Sequence, residues 1–330
     1  MPLLHSESYH PPIWLKNRHL QTVYPSVMRR VTGVAYERER LELQDGDFLD
    51  LDWSRVGSQR LAVISHGLEG NSRKAYILGM ARSLNHAGWD VLAWNFRGCS
   101  GVPNRLPRFY HNGDTGDLAA VVTRGVAQGS YTAVALVGFS MGGNITLNYL
   151  GGAGPAVDPA VAAGVAISVP CDLRGAAMEL ARPVHRIYMH YFLQSLLQKI
   201  REKQARFPEL LNDTDFAKIK DFHAFDSRYT APLHGFADAR DYWAKTSSLP
   251  RLGRITLPVL LVNARNDPFL SSSCYPVGEA SRSGALYLEM PGQGGHVGFA
   301  GRGAGGSTWS EQRAEAFLSS VLGLDAYPRA

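Results

Sequence analysis

The sequence predicts an α/β protein with a doubly wound, mostly parallel sheet and an inserted helical cap. Three observations carry this. Short apolar runs rich in β-branched residues alternate with helical stripes along most of the 330 residues, the pattern of parallel βαβ units. The runs are continuous rather than alternating, as strands covered on both faces must be. Over residues 174–246 the rhythm stops and a long helical stripe takes its place, which predicts a cap at the carboxyl edge of the sheet.

Residues 1–37 are irregular and are expected to form an N-terminal extension packed on a single domain spanning 1–330. Residues 41–53 (LELQDGDFLDLDW) alternate around an Asp45-Gly46 turn, which predicts a hairpin. LAVIS at 61–65 predicts a buried strand. A helix follows on Tyr76, Ile77, Met80, Ala81 and Leu84, with Ser72 as its start cap and Gly88 at its end. DVLAWNF at 90–96 is a second strand, and 114–126 a helix with Leu118, Val121 and Val122 inward. TAVALVG at 132–138 is a third strand, running into a helix over 141–150. Further strands are expected at 161–169, 257–262 and 285–290. Thr308 and Glu311 form a capping-box pair ahead of a stripe of Ala314, Phe317, Leu318, Val321 and Leu322.

Composition excludes several classes. Hydrophobic residues at 45% and charged residues at 19% are globular proportions. Thirty-four Lys and Arg against 29 Asp and Glu leave +5, dispersed except around 199–206, so no nucleic-acid partner is expected. The basic residues there (Lys199, Arg201, Lys203, Arg206) are expected to be solvated. Cys99, Cys171 and Cys274 are too few and scattered for a disulfide framework or a zinc site. No secretory signal pattern and no run of eighteen apolar residues is present, so a cytoplasmic protein without stable membrane insertion is expected.

The chemistry centres on Gly138-Phe139-Ser140-Met141-Gly142, a G-x-S-x-G. It is weak as a bare pattern, but here a strand ends at its first glycine and a helix begins after its serine, as a nucleophile elbow requires. No phosphate-loop pattern surrounds it. A serine hydroxyl needs a general base, itself oriented by an acid. In α/β-hydrolases acid and histidine follow the serine in that order. Asp267, in Asn266-Asp267-Pro268, lies past the strand at 257–262; His296 is the one histidine after it, a few residues past the strand at 285–290. Asp172 is the second candidate acid. The amides of Met141 and of Leu68, in His66-Gly67-Leu68-Glu69-Gly70, are the candidate oxyanion donors.

Other features point to structure. Residues 95–101 (NFRGCSG) are expected to be a turn, and Cys99 has neither elbow nor base. Asp114 and Asp117 are expected to cap and support their helix rather than bind metal. His185 and His190 are five apart, the wrong spacing for paired ligands on one helix face. The stripe of Met189, Phe192, Leu193, Leu196, Leu197 and Ile200 is expected to be packing before it is a lipid pocket.

Taken together, NRHLQT at 17–22, HGLEGNS at 66–72, NFRGCSG at 95–101, YHNGDTGDL at 110–118, GFSMGGNI at 138–145, the FD and TAPLHG pieces within 225–235, NARNDP at 263–268 and GGHVGF at 294–299 make the chain similar to the YheT-like esterase branch of the α/β-hydrolase superfamily. The resemblance covers about 14–322 and extends to eukaryotic phospholipases and other lipases. It implies Ser140 as nucleophile, Asp267 as acid and His296 as base. Many relatives have two consecutive aspartates where this chain has Asn266-Asp267; the second is the one needed. Membrane-bound relatives carry an N-terminal apolar anchor not found here. No physical role for NRHLQT is evident from the sequence.

The expected activity is hydrolysis of small-molecule carboxylic esters, acyl or lipid-like, through an acyl-enzyme, with no metal or organic cofactor. The alternatives are an acyltransferase or thioesterase on the same triad, or a non-catalytic small-molecule-binding protein of the same fold.

Overall fold

A computed structural model of the chain describes residues 3–4, 9–301 and 306–323. Residues 1–2 and 5–8 of the expected extension, and 302–305 of the glycine-rich stretch, lie outside the described residues.

Nine strands form one sheet: β1 (Leu3–Leu4), β2 (Glu37–Glu42), β3 (Phe48–Ser54), β4 (Arg60–Ser65), β5 (Asp90–Trp94), β6 (Ala133–Phe139), β7 (Val161–Ile167), β8 (Val259–Val262) and β9 (Leu286–Glu289). Their spatial order is β1-β9-β8-β7-β6-β4-β5-β3-β2. Pairing is parallel from β1 to β5, while β3 runs antiparallel to β5 and to β2. The β2–β3 pair is the expected hairpin, with Glu42 opposite Phe48.

The helices are α1 (Arg18–Met28), α2 (Ala75–His86), α3 (Thr115–Ala127), α4 (Met141–Leu150), α5 (Leu173–Leu180), α6 (Arg186–Gln204), α7 (Phe222–Phe225), α8 (Ala231–Leu233), α9 (Ala239–Thr246), α10 (Val277–Arg282) and α11 (Trp309–Val321). Successive residues of β4 show why both sheet faces are covered. Leu61 and Val63 pack with Leu118, Val121 and Val122 of α3 and Ile145 of α4. Ala62 and Ile64 pack with Ile77, Met80 and Leu84 of α2 and Phe317 of α11. The sheet thus buries its two faces under separate helix layers, the doubly wound arrangement. Helices α5 to α9 lie between β7 and β8, where the rhythm breaks, around a separate cluster that includes Met189, Leu193, Ile200, Phe216, Phe225 and Phe269.

Some local expectations are corrected. Ser72 does not cap α2; its hydroxyl is drawn to the buried Asp52 carboxylate, and Lys74 precedes the helix without a side-chain cap. Gly88 does end α2, at φ +75, where the Trp89 amide returns to the Leu84 carbonyl. Asp114 makes no side-chain cap to α3 and accepts instead from the His111 amide, while Asp117 pairs with the buried Arg97. The basic run is only half solvated. Lys203 is buried on the carbonyls of Asn104 and Leu106, and Lys199 points inward to Glu69, 3.2 Å away, and to the Cys99 sulfur. Thr308 and Glu311 make both bonds of the expected capping box.

Candidate active site

Because β4, β6, β8 and β9 are parallel, the segments that leave their carboxyl ends collect at one edge of the sheet. Those segments carry Leu68, Ser140, Asp267 and His296.

Ser140 sits between β6 and α4 at φ +52, ψ −118, a conformation that costs an L-residue energy and persists only when its surroundings enforce it. Its amide donates to the Ile167 carbonyl of β7, and its carbonyl accepts from the Asn144 amide. The flanking glycines allow the turn to close. A Cβ on Gly142 would lie 2.4 Å from the His66 carbonyl oxygen, and one on Gly138 2.5 Å from that of Gly142. A side chain at Gly142 would lift the turn off the end of β4, and one at Gly138 would push against the first turn of α4.

Ser140 Oγ lies 3.0 Å from His296 Nε2, and His296 Nδ1 lies 2.9 and 3.1 Å from the two oxygens of Asp267. Asp267 is buried and also accepts from the Phe269 amide at 2.8 Å. The Phe269 ring lies against the imidazole, centroids 4.2 Å apart. Asp172, the second candidate acid, is elsewhere: it caps α5 through the Gly175 amide and accepts from Ser273. The backbone carries a simple reason, since Asp172 is the start of a helix with a free amide to satisfy.

The amides of Leu68 and Met141 donate to no acceptor among the described residues. The loop that bears Leu68 is held firmly. His66 is fully buried, which pushes its imidazole down to about 3 and keeps it neutral, with Nε2 accepting from the Phe96 amide. Tyr76 OH accepts from the Gly67 amide at 3.0 Å. Glu69, at φ +55, accepts from Tyr110 OH at 2.6 Å and from Ser195, and pairs with Lys199, so α6 grips the loop beside Leu68.

The segment NRHLQT acquires a role. Asn17 caps α1 by accepting from the amides of His19 and Leu20. Gln21 is completely buried; its Oε1 accepts from the Gly294 amide at 2.6 Å and from Asn266 at 3.1 Å, and its Nε2 donates to Gln293. Thr22 Oγ1 accepts from the His296 amide at 3.0 Å. Asn266 completes the tie by accepting from the Gly295 amide. One helix therefore holds the loop bearing Asp267 and the loop bearing His296 together. Arg18 and His19 reach the other way, to His185 and to Tyr188 of α6. Sequence reasoning missed Gln21, Thr22, Asn266 and Glu69; the run of polar residues in NRHLQT and the isolated Glu69 beside a glycine were the available signals.

Two cavities meet at Ser140 and share Leu68, Phe192, Phe269 and His296 in their walls. One, of about 990 Å³, runs under α5 to α9 among Leu173, Leu180, Leu196, Phe222 and Phe225, with Lys199 and Asp226 as its charged members. The other, about 1480 Å³, opens between α1 and the start of α6. The stripe on α6 is thus divided: Met189, Leu193 and Ile200 pack, while Phe192 and Leu196 line the first cavity. Cys99 is buried, which raises its thiol pKa, and it contacts Lys199 rather than a base. Among the described residues no group of His, Cys, Asp or Glu is arranged to hold a metal ion. No helix among them is long and apolar enough to cross a membrane.

Residues 63–301 match the family described as alpha/beta hydrolase fold. The chain is 35% identical to YheT of Escherichia coli (strain K12), over 96% of this chain and 94% of that one. It is 30% identical to phospholipase ABHD3 of Mus musculus, over 89% of this chain and 74% of that one. A solved structure of the Pyrococcus furiosus esterase Pf2001 superposes with a TM-score of 0.59 at 17% identity, covering 95% of this chain and 98% of that one.

Proposed function

The chain belongs to the alpha/beta hydrolase fold family, and on that premise we propose that it is a serine hydrolase that cleaves carboxylic esters through Ser140, His296 and Asp267. The observation that carries this reading is the unbroken line from Ser140 Oγ to His296 Nε2 at 3.0 Å and from His296 Nδ1 to Asp267 at 2.9 Å. The named activities of the relatives, an esterase-type fold neighbour and a phospholipase, agree with it.

In this mechanism His296 Nε2 takes the proton of Ser140 as Oγ bonds to the ester carbonyl carbon. The carbonyl electron pair moves to oxygen, and that oxyanion is received by the unengaged amides of Leu68 and Met141. Asp267 holds the Nδ1–H tautomer and stabilises the imidazolium. When the intermediate collapses, the bond to the alcohol oxygen breaks and protonated His296 delivers the proton to it. Water then attacks the acyl-enzyme by the same route, releasing the carboxylic acid and restoring Ser140. The strained turn at Ser140 and the ties from α1 keep these atoms placed before substrate arrives, so little reorganisation is needed at the moment of reaction.

The apolar walls of both cavities favour an acyl or lipid-like ester. We read residues 174–246 as a cap over a single domain spanning 1–330, with residues 1–37 as an extension packed on it. The test is hydrolysis of p-nitrophenyl esters of graded acyl length by wild type and Ser140→Ala. The variant is expected to lose at least about a thousandfold in kcat while melting within a few degrees of wild type. A folded wild type inactive at every chain length, or a Ser140→Ala variant as active as wild type, would overturn the reading.

A further inference from the structure

Helix α1 turns its apolar side to solvent. Leu20, Val23, Tyr24, Val27 and Met28 fall at helical spacing on one stripe, and all are exposed, Val27 and Met28 by 70% and 62%. The residues facing the protein are Gln21 and Pro25. A helix resting on a protein surface ordinarily does the opposite, because hydrocarbon left in water is unfavourable. The exposed stripe does not stand alone. Trp14, itself exposed, packs edge-on against Tyr24 with centroids 4.7 Å apart. Across the mouth of the second cavity, α6 presents Ile187 and Tyr191, 82% and 62% exposed. A contiguous exposed apolar patch of this kind marks a binding surface.

Charge identifies the occupant. Residues 9–36 contain no aspartate or glutamate, nor do 180–201. Lys16, Arg30 and Arg186 are exposed and make no ion pair among the described residues. Apolar side chains interleaved with unpaired cations match the surface of a bilayer carrying anionic headgroups, and the acids in the wall of the second cavity, Glu69 and Glu311, are shielded and paired with Lys199 and Arg29. A second copy of the chain fits poorly, since a face-to-face pair would set cations against cations.

We propose that α1 and the first turns of α6 form a docking surface for an anionic lipid bilayer, with the second cavity opening onto that surface. Leu20, Val27, Met28 and Ile187 enter the interfacial layer, and Lys16, Arg30 and Arg186 meet the headgroups. Docking in this orientation turns the polar underside of α1, and through it the loops of Asp267 and His296, away from the lipid. The surface is a binding element and does not depend on what reaction Ser140 performs.

Sedimentation of the full chain with vesicles tests it, using equal parts phosphatidylcholine and phosphatidylglycerol against phosphatidylcholine alone. Wild type is expected to bind the anionic vesicles at least about tenfold more tightly, and less so as salt rises. The triple variant Lys16→Glu, Arg30→Glu, Arg186→Glu is expected to lose roughly a hundredfold. The double variant Leu20→Ser, Met28→Ser is expected to lose about tenfold or more through the apolar term. Both variants should retain the wild-type melting temperature and turnover of a soluble short-chain ester. Binding by Ser140→Ala separates docking from turnover. The proposal is overturned if wild type binds neither vesicle, binds both equally, or is unaffected by charge reversal. It is also overturned if α1 is found to close a dimer that Leu20→Ser, Met28→Ser dissociates.

Discussion

Helices α11 and α1 are of similar length and are joined by the ion pair of Arg29 with Glu311, yet they meet the protein with opposite faces. On α11 the buried residues include Ala314, Phe317 and Leu318, packed on one face of the sheet. On α1 the inward residues are Gln21 and Pro25, and the hydrocarbon faces out. The difference follows from what lies beneath. Under α11 is a sheet whose backbone bonds are already made, so only hydrocarbon remains to be covered. Under α1 lie the amides of Gly294 and His296 and the side chain of Asn266, which need acceptors when shielded from water. The face of a helix that points inward is set by the chemistry it must satisfy, and here that chemistry is a pair of loops bearing Asp267 and His296.

The contrast is broken most directly by paired truncations. Phe317→Ala is expected to cost about 3–5 kcal/mol in urea unfolding, with specific activity of the folded protein unchanged. Met28→Ala is expected to stay within about 0.5 kcal/mol. Equal losses at the two positions would mean that the outer stripe of α1 is covered in the free protein.

A smaller effect, on rate rather than fold, is expected beneath α1. Gln21→Leu and Thr22→Val should each lower kcat roughly 10–100-fold, because loss of about an ångström of placement at His296 is felt at the reacting atoms. KM should change little, and Thr22→Ser should restore most of the rate by returning the acceptor for the His296 amide. If Thr22→Ser is as slow as Thr22→Val, the hydroxyl is not what matters.

The smallest effect is expected at a buried charge outside both helices. Asp226, in the wall of the first cavity, accepts from Thr230 and Trp243, and burial pushes its carboxyl up to about 6. A raised acid pKa means the folded protein prefers the neutral form. Its contribution to stability is therefore full below about pH 4 and declines as pH rises to about 6, after which the penalty is constant. Asp226→Asn should gain on wild type across that window, by an amount on the order of 1 kcal/mol once water entering the cavity is allowed for. Melting temperatures of both proteins at pH 4, 5, 6 and 7 check the sign; a gap that narrows with rising pH would refute it.

Much of this was legible in the chain. Apolar runs such as TAVALVG marked β6, and the stripe of Ala314, Phe317 and Leu318 marked α11, because burial on a strand or helix repeats with a fixed period. The order of Ser140, Asp267 and His296 is the one α/β-hydrolases use, parallel strands deliver all three to one sheet edge, and His296 lies within hydrogen-bond distance of the other two there. Other assignments failed where a side chain's partner lay far along the chain. Ser72 looked like a helix cap and serves Asp52; Lys199 and Lys203 looked solvated and reach into the protein, to Glu69 and to the carbonyls of Asn104 and Leu106. Asp172 and Asp267 each follow a strand; the sequence puts Asp267 first, and in the folded chain His296 lies against Asp267 while Asp172 caps α5.

Strands β2 to β9, most of the helices beside them and the turn at Ser140 were readable from the amino-acid order. Each depends on residues within a few positions of one another and leaves a period or a local motif. What only the folded chain reveals is that Gln21 and Thr22 hold the loops of Asp267 and His296 from more than 240 residues away. Hydrogen bonds between a side chain and a distant backbone have no period and no local signature, so they become visible only once the chain has folded.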